Sequence, residues 1–398
     1  MEESAGNELI RELCSIERRG PGTDAERRAA NALAARVRAL GRRVEVEPTY
    51  VHPQYALVHA LHGVVAIAGS IAAVAEPAIG FGLVLTAATS TYLDLNTRFY
   101  LARRLFFRRA SQNVVSPGSN PEAPLRVILA AHYDAGRSGY VFSRSLRLGG
   151  RMSERGRLFL APWRLFFWAG IAPLLPILGA RMAGLDAPWL SLLQLLPTTA
   201  LIVSVFLLID IALSEIVPGA YDDASGVAAA TAAAARLGAD PPPNVDLWLL
   251  LTGAGETTAE GMRAWIRANR KRLDRERTVV VNVGPVSHGT VNYTTAEGAV
   301  ISIPMDAELA ELCEALATAG GEGGGASPVR LPSVTEATAA RAGGLRAISI
   351  LGLDDGLPAP WLHSPDDTPE RVNAAALERA TEFVVSLVRL LDRGAGRR

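Results

Sequence analysis

The sequence predicts an α/β fold: a three-layer α/β/α sandwich around a mixed, mainly parallel sheet, with two inserted transmembrane helical hairpins. Two observations predict it. Strand-like apolar runs alternate with helix-like segments through the polar parts of the chain, which is typical of a sheet covered by helices. Four long apolar stretches interrupt that alternation in two adjacent pairs, and the 398-residue chain is 49% hydrophobic.

The polar segments supply the sandwich. The run "LRVILAAHYDA" from Leu125 is nearly all apolar, as expected of a central strand that is buried on both faces. At the start of the second predicted helix, Thr23 is a candidate N-cap and Glu26 a candidate for completing a capping box. Further strands are predicted in "RRVEVEPTYV", "QNVVS", "VDLWLLL", "TVVVNVG" and "LRAISILG", and helices over 7–18, 24–41, 224–237 and 374–391.

The apolar stretches have lengths that suit a bilayer. Residues 56–75 and 190–213 reach the roughly 20 residues that a transmembrane helix needs, whereas 78–95 and 165–180 are borderline. Helices buried in a protein core are the alternative. The short turn within each pair favours an antiparallel hairpin. The predicted domains are hairpin 1 (55–95), hairpin 2 (161–213) and one α/β domain assembled from 1–54, 96–160 and 214–398.

Arginines orient the two hairpins. The turn inside each hairpin holds almost no basic residue apart from Arg181, whereas arginines cluster at the opposite ends, within 42–43, 98–109 and 144–157. By the positive-inside rule, those ends and the attached α/β domain face the cytoplasm. The sequence therefore predicts a multi-pass membrane protein with four transmembrane helices, and the lipid bilayer is its first expected partner.

The composition argues against several other classes of protein. Lysine plus arginine and aspartate plus glutamate both number 40, so the formal net charge is zero and nucleic acid is not an expected partner. Cys14 and Cys313 are the only cysteines. Two cysteines in helix-like contexts indicate neither a disulfide framework nor a thiolate metal cluster.

Side chains that can bind metal follow several predicted strands. Each alone has a structural explanation, because aspartate often caps a helix and a buried histidine can be satisfied within a core. Together they indicate a site, since the carboxyl ends of parallel strands meet in one crevice. Imidazole and carboxylate groups suit zinc, and an open coordination position would make such a site hydrolytic. The candidates are His132, Asp134, Asp222, Asp223, Glu256 and His363.

Four motifs occur in a characteristic order: "VILAAHYDA", "PGAYDDASG", "LLLTGAGE" and "WLHSPDDTPE". In these motifs the chain resembles the di-zinc aminopeptidase family, which includes glutamate carboxypeptidase and the transferrin receptor ectodomain. The resemblance covers nearly all of the polar sequence and leaves the two hairpins as insertions. It implies a three-layer sandwich, zinc as the cofactor, and a peptide substrate or peptide-like ligand.

The resemblance also implies a role for each candidate. His132 is similar to the histidine of the first zinc, and Asp134 to the carboxylate that orients this histidine. Asp222 resembles the aspartate that bridges both metals. Glu256 and His363 are similar to the ligands of the second zinc. The candidates for orienting the second histidine are Asp366 and Asp367.

Two glycines depart from the family's pattern. Gly255 stands where active members carry the glutamate that acts as general base, and glycine can neither accept a proton nor position a water molecule. Gly284 stands where an aspartate would complete the shell of the first zinc. His288 is a candidate replacement for that ligand, and Glu260 for the base. The sequence thus predicts one or two zinc ions, and three ligands at the second position favour one.

Three functions are compatible with these observations. The first is a membrane-anchored zinc peptidase of the aminopeptidase type. The second is a non-catalytic binding or scaffold protein that keeps the peptidase fold. A Gly255→Glu exchange is expected to restore the base unless Gly255 has a positive φ. The third is a transporter-like role for the hairpins, since polar residues inside membrane helices are functional candidates. Those residues are His59, His62, Gln194 and Asp210.

Overall fold

The computed structural model describes residues 5–143, 153, 161–319 and 325–396. The group of arginines between 144 and 157 lies outside the described residues. Within the described part, helices cover both faces of one mixed sheet, and four long apolar helices pack together beside it. The predicted α/β class is therefore confirmed.

The sheet is parallel at its centre and antiparallel towards its edges. Its order is β1-β2-β4-β3-β5-β9-β6-β7, with β8 beside β6. The four central strands β4, β3, β5 and β9 run parallel, whereas β1 and β2 on one side and β6 and β7 on the other pair antiparallel. The predicted parallel character holds for the centre of the sheet and for the pairing of β8 with β6. The strands are β1 (Glu45–Val51), β2 (Arg109–Ser116), β3 (Leu125–His132), β4 (Val245–Thr252), β5 (Thr278–Val283), β6 (Thr290–Glu297), β7 (Ile303–Pro304), β8 (Ser327–Leu331) and β9 (Arg346–Leu353).

The described chain also forms eleven helices of seven or more residues. They are α1 (Ala5–Ser15), α2 (Asp24–Ala39), α3 (Tyr55–Ala72), α4 (Pro77–Leu95), α5 (Pro162–Met182, with a π-helical centre), α6 (Pro188–Leu213), α7 (Gly226–Ala239), α8 (Glu260–Asn269), α9 (Ala307–Thr318), α10 (Glu336–Ala342) and α11 (Ala374–Ala395).

Both faces of the central strands are buried. In β3, Val127, Leu129 and Ala131 contribute to a core shared with α1, α2, α7 and α11. Ile128 and Ala130 alternate with them and contribute to a second core, shared with α8 and α10. Because successive side chains of a strand point to opposite faces, this alternation requires apolar residues at every position. It explains the uninterrupted apolar run in the sequence.

The four apolar helices form one bundle with a shared apolar core. Each is long and apolar enough to cross a membrane. The longest, α6, buries only 28% of its most apolar window inside the protein. Its outer face exposes large side chains that a core helix would bury. They include Leu192 (68% exposed), Leu196 (71%), Phe206 (69%) and Leu213 (81%).

Polar residues inside this bundle are paired. His59 is fully buried, 3.6 Å from the carboxylate of Asp94, and the ring of His62 lies against it. Gln194 donates a hydrogen bond to the backbone of α3 (2.6 Å). Asp210 accepts one from the backbone of the loop after β3 (2.6 Å). All four candidates for a transport path therefore take part in contacts within the protein.

Candidate metal centre

Four separate segments bring the predicted ligands together at the carboxyl end of the central strands. His132 is the last residue of β3, and Glu256 lies in the turn after β4. Asp222 precedes α7, and its peptide bond to Asp223 is cis. His363 follows β9. The parallel centre of the sheet explains this convergence, because the carboxyl ends of parallel strands lie at one edge.

The carboxylate of Asp222 lies between the two histidines. Its Oδ1 is 3.4 Å from Nε2 of His132, and its Oδ2 is 3.5 Å from Nε2 of His363. The same His363 nitrogen is 3.6 Å from Oε2 of Glu256. Ligand atoms of His132, Asp222 and Glu256 all lie within 4.8 Å of one another. The structure therefore places all four predicted ligands in one cluster.

Backbone and side-chain contacts fix the orientation of these ligands. Nδ1 of His363 donates to the carbonyl of Arg137 (2.9 Å), which leaves Nε2 free to bind a metal. Asp134 lies 3.4 Å from Nδ1 of His132. Asp367 accepts hydrogen bonds from the backbone N–H of Tyr221 (2.7 Å) and of Asp222 (3.2 Å). Asp367 therefore orients Asp222, the shared carboxylate, rather than the histidine that the sequence predicted.

The turn that carries Glu256 is held by two buried carboxylates. Asp134 accepts hydrogen bonds from the backbone N–H of Gly255 (2.7 Å) and of Glu256 (3.1 Å). Glu26 accepts one from Ala254 N–H (2.9 Å). The N–H of Glu26 donates to the Thr23 hydroxyl (3.1 Å), so the predicted cap is present. The carboxylate of Glu26, however, reaches this turn instead of completing the capping box.

Charged neighbours in the cluster shift pKa values in the direction opposite to the effect of burial. Burial alone would raise the pKa of Asp222, but its contacts with His132 and His363 hold that pKa below the usual range. Burial alone would lower the pKa of His363, but the Glu256 and Asp222 carboxylates raise it to about 9. Burial raises the pKa of Glu256 to about 7, although His363 opposes this. Without a metal, protonated histidine thus supplies the positive charge that the carboxylates require.

These residues fit zinc. A tetrahedral zinc site with bonds of about 2.0–2.1 Å keeps its ligand atoms roughly 3.4 Å apart. Nε2 of His363 lies 3.5 Å from Oδ2 of Asp222 and 3.6 Å from Oε2 of Glu256, which agrees with that spacing, while His132 lies 3.4 Å from the other oxygen of Asp222. One oxygen of Glu256, Oε1, is buried without a hydrogen-bond partner among the described residues, as expected of a ligand atom.

The surroundings of Gly255 and Gly284 show how much room each position has for a side chain. A Cβ atom at Gly255 would overlap Cβ and Cγ of His132, whereas its φ is not in the left-handed region. The expected obstacle to a glutamate there was a positive φ; the structure shows that the obstacle is the histidine itself. At Gly284 the Cβ position is 2.5 Å from Leu351 Cδ2, the end of a flexible side chain. Gly284 therefore tolerates a side chain more readily than Gly255.

Neither predicted replacement is in place. The carboxylate of Glu260 contacts His52 Nδ1 (2.7 Å) and Arg103 Nη1 (3.2 Å), and it is buried away from the ligand cluster. The ring of His288 packs edge-on against Trp361, 5.0 Å between ring centres. Asp366 is exposed and lies 3.6 Å from an arginine. The sequence allowed these roles because spacing along a chain does not determine side-chain direction.

Two further acidic groups lie close to His132. Asp223 accepts a hydrogen bond from the backbone N–H of His132 (3.3 Å), and its other oxygen has no partner among the described residues. Glu336, the first residue of α10, accepts one from Thr252 (3.2 Å), which is paired with His132 across β3 and β4. Burial raises the pKa of both carboxyls. Glu336 was missed in the sequence because a glutamate opening an alanine-rich helix reads as an ordinary N-terminal residue.

Glu26→Gln is expected to change how stability depends on pH. Burial, together with the nearby charge of Asp134, raises the pKa of Glu26 from 4.5 to about 8. The pKa of Glu26 is thus higher in the folded than in the unfolded protein. Protonated Glu26 therefore contributes its full stability below about pH 4.5, and that contribution is lost as the pH rises towards 8. Thermal unfolding at several pH values should show wild type losing stability relative to the variant across that window. The exposed control Glu45→Gln should leave the difference constant; a parallel loss in both variants would contradict the assignment.

Comparison with known proteins agrees with this geometry. The sequence pattern described as Peptidase family M28 matches residues 207–388, a segment that holds Asp222, Glu256 and His363. No curated protein matches the chain.

Solved structures share the fold across almost the whole chain. BSAP, a zinc aminopeptidase from Bacillus subtilis, is 13% identical, with a TM-score of 0.57 over 97% of this chain and 94% of that one. The glutaminyl cyclase of Porphyromonas gingivalis is 12% identical, with a TM-score of 0.53 over 97% of both chains. LapB from Legionella pneumophila is 12% identical, with a TM-score of 0.55 over 98% of this chain and 71% of its own. At these identities the likeness establishes the fold: that of the zinc aminopeptidases and glutaminyl cyclases.

Proposed function

We propose that this chain is a membrane-anchored zinc metallopeptidase of the aminopeptidase type, with one zinc ion held by Asp222, Glu256 and His363 and with His132 on the other oxygen of Asp222. The observation that carries the proposal is the position of Asp222, whose two oxygens face the two histidines at 3.4 and 3.5 Å. The match to peptidase family M28 and the shared fold support the same chemistry.

The residues of the cluster have separate roles in the proposed hydrolysis. A zinc ion bound here would supply Lewis acidity towards a peptide carbonyl and would lower the pKa of water. Asp222 and Glu256 balance the positive charge, while Asp134 and the carbonyl of Arg137 keep both histidines in orientation. Gly255 contributes no base. Because general acid–base assistance is worth roughly 10²- to 10⁴-fold, we expect slow turnover.

A second candidate function is a non-catalytic binding or scaffold protein. The observation that favours it is the space beside Gly255, which the His132 ring fills so closely that no side chain fits without movement. In this alternative the chain keeps zinc as a structural element and binds a peptide without cleaving it.

Zinc content and chelator-sensitive activity separate the two functions. We expect the purified protein to hold about one zinc per chain, because one position has three ligands, Asp222, Glu256 and His363, whereas the other keeps His132 and the shared Asp222. We expect a panel of aminoacyl and peptide substrates to show slow cleavage that stops with chelator and returns with zinc. Glu256→Gln should lower both zinc content and cleavage, and the matched control His288→Ala should change neither. One tightly held zinc with no cleavage of any substrate would establish the scaffold function instead.

Membrane anchoring is supported by the apolar outer face of α6, because exposing so many large apolar side chains to water is unfavourable. We propose that both hairpins span the bilayer and that the α/β domain lies in the cytoplasm. Reporters fused in the turn at Gly184 and at the C-terminus are expected to lie on opposite sides of the membrane. A C-terminal reporter outside the cytoplasm, or both reporters on one side, would exclude this topology.

A further inference from the structure

A fully buried arginine connects hairpin 1 to the turn that carries Glu256. Arg103 follows α4 in the chain and is 0% exposed. Its Nε and Nη2 atoms each lie 2.8 Å from an oxygen of Asp94, in the last turn of α4. Arg103 belongs to the arginine cluster 98–109, which the positive-inside rule places at the cytoplasmic surface. The structure shows that it is not a surface charge.

The remaining donors of Arg103 point at the site turn. Its Nη1 donates to the carbonyl of Thr257 (2.9 Å), and its Nη2 donates to the hydroxyl of Thr258 (2.6 Å). A further contact reaches Glu260 (3.2 Å), the first residue of α8. One guanidinium therefore contacts three residues, Thr257, Thr258 and Glu260, of the segment that begins directly after Glu256.

This turn needs external contacts to keep its shape. Ala254, Thr258 and Ala259 all have positive φ, of 52°, 64° and 55°. Residues with a Cβ atom adopt that conformation at a cost, and such strain persists only where the surroundings determine it. Between these strained positions, Gly255 and Glu256 present their N–H groups to Asp134. Movement at Thr257 or Thr258 would therefore displace the metal-binding carboxylate.

Asp94 acts on the turn through Arg103, since its described contacts do not reach the turn itself. It is fully buried, and its other close neighbour is His59 of α3 (3.6 Å). Its carboxylate accepts the bidentate pair that fixes the guanidinium plane, a geometry that lysine cannot reproduce. The end of hairpin 1 thus sets the position of Arg103, and Arg103 sets the position of the turn.

We propose that Arg103 and Asp94 are positioning residues of the metal centre, through which hairpin 1 determines the placement of Glu256. The proposal rests on the proposed function insofar as Glu256 binds zinc. On this basis hairpin 1 is part of the structure of the site as well as an anchor. A purely structural role would stabilise the whole domain equally, whereas a positioning role acts on the turn.

Hydrogen exchange of the full chain in detergent tests the proposal without requiring a metal or activity. The variants are Arg103→Lys, which keeps the charge, and Asp94→Asn, which keeps the shape. The matched control is Arg104→Gln, because Arg104 lies over the ring of Phe99 and has no described contact with the turn. In the two variants, the amides of Gly255 and Glu256 should exchange about tenfold faster, while those of β3 and β5 stay unchanged.

Zinc affinity gives the second readout. Orienting partners of metal ligands are typically worth 10- to 100-fold in affinity, so both variants should bind zinc that much more weakly, and Arg104→Gln should equal wild type. With cobalt in place of zinc, the absorption bands of both variants should shift, because the geometry of the carboxylate ligand changes. Unchanged exchange in the turn, or equal acceleration in β3 and β5, would overturn the proposal. If wild-type protein binds no metal, the proposed function fails, and the exchange data alone decide whether Arg103 holds the turn.

Discussion

Replacing Gly255 with glutamate is expected to remove zinc from the protein rather than to supply a base. The new Cβ atom would overlap Cβ and Cγ of His132, so the end of β3 and the turn that carries Glu256 must move apart. His132 is the last residue of β3 and its backbone is held in the sheet. Because the backbone fixes the position of a Cβ atom, rotation of the His132 side chain cannot relieve the overlap, and the turn that carries Glu256 is displaced instead. We expect zinc content to fall below detection and any peptidase activity with it.

The matched control for this exchange is Gly238→Glu. Gly238 lies in α7, and a Cβ atom there meets nothing within 4 Å. It adds the same side chain with the same charge and should keep the zinc content of wild type. Gly255→Ala adds only the Cβ atom and should already weaken zinc binding. A Gly255→Glu variant that keeps its zinc and cleaves peptides faster would show that the turn accommodates the side chain without displacing Glu256.

Asp222→Asn is the second exchange for which a large effect is expected. The carboxylate contacts both histidines, so losing its charge weakens a zinc ligand and the partner of two imidazoles. The loss should exceed the roughly 10- to 100-fold that orienting residues contribute to metal affinity. Metal analysis after dialysis and competition with a chelator measure it.

The same variant makes a prediction about the metal-free protein. Asp222 raises the pKa of both His132 and His363, which burial alone would lower. Without that charge both pKa values should fall, and a titration of the histidine ring signals by NMR should show it. Asp366→Asn, at an exposed carboxylate near the site, is the control and should move neither value. Unchanged histidine titration in Asp222→Asn would mean that the two rings do not share this carboxylate.

The central part of the fold could be predicted from the sequence because the relevant signals are local. The apolar run of β3 and the four apolar helices are visible as continuous stretches, and the site motifs lie directly at strand ends. Strand β6 was missed, since "TVNYTTAE" combines polar residues with few apolar ones, yet pairing on both sides buries most of it. Pairing partners far away in the chain, rather than local pattern, determine that strand.

The parts of the site that sequence reasoning could not supply are contacts between distant segments. The sequence motif predicts that Glu26 completes a capping box, and the arginine cluster predicts that Arg103 is a surface charge on the cytoplasmic side. Both are buried and hold the turn of Glu256 from opposite directions along the chain. Charged residues are normally assigned to the surface, so their burial becomes visible only when the partners that balance them are known.

The place of hairpin 1 between β1 and β2 has a consequence for the order in which the sheet assembles. These two strands pair in register along the whole of β1, from Glu45 opposite Val115 to Val51 opposite Arg109. A flexible connection of that length would impose an entropic penalty on their meeting, which grows with the logarithm of the loop length. An antiparallel helical pair brings its two ends back together, so the two strands become neighbours as soon as α3 and α4 have packed. We therefore expect β1 and β2 to pair early during synthesis, before the ribosome has made β4, the strand that pairs with the other side of β2.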